Sequence, residues 1–160
     1  MSYLLRTLSA FEECRNHIEE KQLTGTPIEF FLTQYLLVLL SADMQEEISR
    51  ISIGTITRSP ESHHLEKFVT ESIGKLLRSV GKSELAGLLG HFGEEVKIDF
   101  NSRLDEVDVS LYSNVITARH KVAHKNGSEI SFIDLEKGIS SAVRIIAAYE
   151  AALQNLQKKP

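Results

Sequence analysis

Five side chains that can carry positive charge fall within seven residues: Arg119, His120, Lys121, His124 and Lys125. Arg119 and His124 stand in the spacing R-x4-H. An imidazole, with an ordinary pKa of about 6.5, can take or release a proton near neutrality. A guanidinium can bind two oxygens of one anionic group at once. The combination suits proton transfer around a phosphoryl centre whose charge grows during reaction: His124 as base or acid, Arg119 as clamp, and no metal in the scheme. Lys121 and Lys125 could hold a polyanionic backbone, although solvated lysines beside a helix end look the same in sequence. His120, directly after the arginine, could help to position a phosphate.

These residues need an element to carry them. Val107, Leu111, Val115, Ala118 and Val122 recur at helical steps, which predicts an amphipathic helix with that stripe turned to a core and Arg119, His120 and His124 off it. Asp105 or Asp108 would cap its start, and Asn126-Gly127 would stop it just after Ala123. A step of five turns a helix about 140° past a full turn, so Arg119 and His124 share no face while the helix continues. They converge only if the chain bends back after Ala123 or if a second subunit contributes.

Around the motif, Leu88-Leu89-Gly90-His91-Phe92-Gly93 forms a glycine-and-aromatic turn, Asn114 to His124 forms the motif helix, and Ser131-Phe132-Ile133-Asp134-Leu135 opens a last long helix. This order resembles the HEPN superfamily, with the RiboL-PSP-HEPN branch the nearest likeness. It covers about half of the chain, with a looser likeness in the apolar helix near residues 28–50. The resemblance implies an all-α fold, an up-and-down helical bundle of about five main helices with a short extra helix before the motif helix. It also implies a homodimer whose paired motif helices form one composite site, and RNA as the substrate. Cleavage would be metal-independent, leaving 2′,3′-cyclic phosphate and 5′-hydroxyl ends, with Arg119, His124 and His120 as catalytic residues and Lys121 and Lys125 contacting RNA. The implied setting is a toxin-like effector of a defence or stress system, held by an antitoxin or other protein partner. His120 stands where the family often has asparagine or another polar residue, which leaves its role open. The alternative is a HEPN-like module that dimerises or binds a partner without catalysis.

Composition narrows the field. The chain has 160 residues, enough for one domain with a core that needs neither disulfide nor metal. A single cysteine, Cys14, excludes an internal disulfide and fits a reducing cytoplasm. The start shows no signal peptide, since Arg6 and Glu12-Glu13 interrupt it before any long apolar run. Phe30 to Leu40 is too short a run to span a bilayer and reads as a helix buried on most of its faces. A net charge of −4 excludes a global basic field, so RNA must be met by a local patch.

In order, the chain predicts a helix over 3–22 and a second from Pro27 to about Ile51, opened by the capping box Thr26 to Glu29. A third helix follows over about 61–79, then a short helix ending at Gly90. A further short helix is expected over 93–103, despite the alternation of Val96, Ile98 and Phe100. The motif helix and a last helix over about 132–157, capped by Ser131 and Asp134, complete the set.

Two blander readings compete for the same residues. An arginine and a histidine at a helix C-terminus also satisfy free carbonyls and the helix dipole. His120 and His124, four apart, have the spacing of helix-borne zinc ligands, but no glutamate follows His120 and no third ligand is spaced to join them. His63-His64, His17 and His91 add nothing to such a site, and no cofactor is expected. Asp43, Glu46 and Glu47 are either a supporting carboxylate set or the solvated face of the second helix.

Overall fold

The computed structural model describes residues 3–56, 63–77, 79–123 and 130–156. Among them the chain is all-helical: α1 Leu5–Glu20, α2 Pro27–Ile56, α3 His63–Leu76, α4 Lys82–Gly90, α5 Glu94–Ser102, α6 Glu106–Ala123 and α7 Phe132–Leu156. Two short helices, α4 and α5, precede the motif helix α6.

Local chemistry explains most of the boundaries. Gln22 takes the left-handed conformation at the end of α1, and the Leu23 and Gln22 amides bond back to the Ile18 and Glu19 carbonyls. That is the helix-stopping pattern for which glycine is the usual residue. At the start of α2 the Glu29 amide donates to Thr26 Oγ1 at 3.5 Å, while the Glu29 carboxylate reaches past Thr26 to the Gly25 amide. The expected box therefore closes one residue further out. Ser131 caps α7 through the Asp134 amide at 3.1 Å, and its hydroxyl donates to the Asp134 carboxylate, which holds that acid below its ordinary range. Asp105, rather than Asp108, caps α6, accepting from the Val107 amide at 2.8 Å. In α5, Val96 and Phe100 are buried and Ile98 is exposed, so the four-residue spacing won over the apparent alternation.

The core lies where α2, α6 and α7 meet, with α1, α3 and α5 packed around them. Leu36, Leu40, Met44 and Ile48 from α2 face Leu135, Ile139, Ile146, Tyr149 and Leu153 from α7. Phe11 stacks on Phe132 at 4.6 Å, and Tyr149 meets Phe100 edge-on while sharing a buried hydrogen bond of 2.8 Å with Ser52.

Two expectations need correcting. Val107 does not belong to the core stripe of α6; it is exposed, and Tyr112, Val115, Ile116 and Ala118 are the buried set. The second correction concerns α2. This helix runs on to Ile56, and its first half is buried along one side only, leaving Ile28, Phe31, Tyr35 and Val38 exposed. By length and composition α2 is also apolar enough to cross a membrane. Its other side nevertheless packs on α1, α3, α6 and α7.

Candidate active site on the last turn of α6

The antiparallel pairing of α6 and α7 places the motif. Near the start of α6, Asp108 accepts from Ser141 at 2.9 Å and from Arg144 at 2.7 Å. Two turns on, Val115 lies against Gly138, so closely that a Cβ on Gly138 would overlap Val115 Cγ2. As residue numbers rise on α6 they fall on α7, so the last turn of α6 adjoins the first turn of α7. Ile130, Ser131 and Phe132 in turn share a cleft of about 210 Å³ with Gly25, Thr26, Glu29, Phe30 and Thr33. The end of α6, the start of α7 and the start of α2 thus occupy one end of the molecule.

Tyr112 fixes α6 from the other side. Its ring is fully buried and its hydroxyl donates to the Val80 carbonyl; burial pushes its pKa far up, so it stays a neutral donor.

On this anchored helix His120 and Lys121 lie in the last turn, where cations meet the negative end of the helix, and Arg119 directly precedes them. Arg119 is half-buried, while His120 and Lys121 are exposed. Arg6, Arg15, Arg50, Arg103 and Arg144 each hold a carboxylate. Arg119 holds none among the described residues. His124 and Lys125, the other two members of the motif, lie outside the described residues, as does the expected Asn126-Gly127 stop. The structure therefore brings Arg119, His120 and Lys121 together on one turn.

The acidic trio of α2 sits elsewhere, at roughly 24 Å along the helix from its start, given 1.5 Å per residue. Asp43 is buried and committed: Oδ2 accepts from the Thr7 amide at 2.7 Å and from Thr7 Oγ1 at 2.6 Å, and Oδ1 from Arg6 Nε at 2.6 Å. Glu46 also meets Arg6, and Glu47 meets Arg50. A cleft of about 270 Å³ opens beside them. The solvated-face reading fails at Asp43, which supplies the N-terminal cap that α1 lacks in its own sequence, since Leu4 offers no side-chain acceptor. Close by, Tyr3 donates to Glu150, and its pKa is pushed up to about 12, first by burial and then by that carboxylate. Neither pairing, Thr7 with Asp43 or Tyr3 with Glu150, was read from sequence, because the partners stand 36 and 147 positions apart.

The chain matches no family model, no curated protein and no solved structure.

Proposed function

We propose that this chain is a HEPN-type endoribonuclease acting as a homodimer without metal, built as an up-and-down bundle in which α4 and α5 lead into the motif helix. The observation that carries the reading is Arg119, which is half-buried directly before the last turn of α6, beside exposed His120, and without a carboxylate among the described residues. In this reading Arg119 clamps the scissile phosphate. His124 takes the proton from the 2′-hydroxyl or returns one to the leaving 5′-oxygen, and the second copy supplies the other histidine. His120 orients the phosphate, and Lys121 and Lys125 hold the adjoining RNA backbone. Attack by the 2′-oxygen forms its bond to phosphorus as the bond to the 5′-oxygen breaks, leaving a 2′,3′-cyclic phosphate and a 5′-hydroxyl. Such an enzyme fits a toxin-like effector in a cytoplasmic defence or stress system, restrained by an antitoxin.

The test is cleavage of a mixed RNA pool in EDTA, wild type beside His124→Ala and Arg119→Ala, with analysis of product ends. Cyclic-phosphate ends from the wild type, reduced about 10²-fold or more in each variant, are the expected result. Equal cleavage by all three would remove both residues from the site.

The second reading, a HEPN-like dimerisation or partner-binding module without catalysis, is favoured by the exposed apolar side of α2. It expects no cleavage by any of the three proteins.

A further inference from the structure

The cleft between the start of α2 and the start of α7 lies level with the motif. Val115 of α6 lies against Gly138 of α7. Lys121 is six residues further along α6 and Phe132 six residues back along α7, so equal rises bring both to the same height. Phe132 lines the cleft, and α2, which supplies the other wall, packs on both α6 and α7. The cleft therefore stands about one helix width, roughly 10 Å, from the turn that bears Arg119, His120 and Lys121.

Its hydrogen bonding is one-sided. The Thr26, Thr33 and Ser131 hydroxyls have each given their proton away, to the Leu23 carbonyl at 2.6 Å, the Glu29 carbonyl at 2.8 Å and the Asp134 carboxylate at 2.8 Å. What they still offer is lone pairs. Glu29, partly buried on the same wall, is an acceptor only, and the Gly25 amide holds just one of its carboxylate oxygens, Oε2. Among the described residues no lysine or arginine lines the cleft, so it refuses anions. One aromatic wall is open. Phe132 spends its ring on Phe11, stacked at 4.6 Å, whereas Phe30 is 39% exposed, crosses Phe31 at 63° and has no ring stacked on it among the described residues.

At about 210 Å³ the cleft is smaller than a drug-sized site of about 300 Å³ and suits a single ring system. An acceptor-lined slot beside an aromatic face selects a flat ring with N–H donors along one edge. Guanine is the base that fits. Its N1–H and its 2-amino group lie side by side, and one carboxylate can close on both with two parallel bonds. Adenine and cytosine set a ring-nitrogen acceptor beside their amino group, and uracil flanks its N–H with two carbonyls. Each of these would press acceptors against acceptors.

We propose that this cleft binds a guanine base of single-stranded RNA, stacked on Phe30 and held along its N1–H edge by Glu29. The inference rests on the nuclease reading for its substrate and gives that enzyme a base preference, but its test reads binding and needs no cleavage.

The chain has no tryptophan, so Phe30→Trp places a single indole in the cleft, whose fluorescence a stacked base quenches. The probes are the 2′-O-methyl trinucleotides UGU, UAU, UCU and UUU, which lack the nucleophile for cleavage. UGU should bind about tenfold or more tightly than the other three. Adding Glu29→Gln should remove that preference and leave helical circular dichroism unchanged, because glutamine also closes the capping box. Should Phe30→Trp fail to fold, calorimetric titration of the wild type and of Glu29→Gln with the same probes decides. Equal binding of the four probes, binding of none, or a UGU preference that survives Glu29→Gln would each overturn the proposal. So would lysine amide quenching as strongly as UGU, which would assign the acceptors to a cation. A UGU preference in a protein that cuts no RNA would count against the nuclease reading and leave the guanine site standing. RNA cleavage without any UGU preference would do the reverse.

Discussion

The two ends of α6 are treated differently. At its start two carboxylates are committed: Asp105 caps the first turn and Asp108 holds both Ser141 and Arg144. Tyr112 then reaches Val80, and Val115 closes on Gly138. At its end Arg119 is half-buried yet holds no carboxylate among the described residues, and His120 and Lys121 stand in solvent. The contrast separates residues that hold the helix from residues that it presents.

That separation predicts opposite signatures for substitutions at the two ends. The largest effect belongs to the presenting end: Arg119→Ala should lower RNA cleavage about 10²-fold or more while leaving the thermal midpoint within a degree or two. A large loss of stability there would show that Arg119 holds the helix after all. At the holding end, Gly138→Ala should destabilise by roughly 1–3 kcal/mol in a denaturant titration, because Val115 is stiff at χ1 and cannot yield to the new methyl. Gly87→Ala is the control, since nothing lies within 4 Å of its Cβ position; it should stabilise by roughly 0.5–1 kcal/mol. Tyr112→Phe should cost about 1–2 kcal/mol by leaving the Val80 carbonyl without its buried donor.

The smallest effect is at Asp108. Arg144 holds this carboxylate below its ordinary range, helped by the Ser141 hydroxyl. A depressed native pKa stabilises the fold above the ordinary aspartate value, and that contribution fades as pH falls through the native one. Arg144 is 56% exposed, so the contribution is under about 1 kcal/mol. Asp108→Asn should flatten the acid limb of the stability curve by that amount, and the difference should shrink with added salt.

Much of this framework was legible in the residues. Thr26-Pro27, Asp105 and Ser131 are local signals, and the helix starts fell beside them because capping involves neighbours in sequence. The turn bearing Arg119, His120 and Lys121 was legible for the same reason. What escaped reading depends on distant partners. Asp43 sits in an acidic run that looks solvated until Thr7 is brought to it from another helix. The bare stripe of α2 escaped because a run as apolar as Phe30 to Leu40 has no contrast from which to read a face. In α6, Val107 fitted the period as well as Tyr112 did, and only the docking of α7 and Val80 decided between them.

Asp43 also bears on the order in which the chain takes shape. The first turn of α1 has no capping side chain and no acid of its own, and an isolated helix of its length is marginal in water. Its start is secured only by a carboxylate borrowed from the middle of α2. During synthesis α1 therefore emerges before the helix that caps it, and it settles only once α2 has followed.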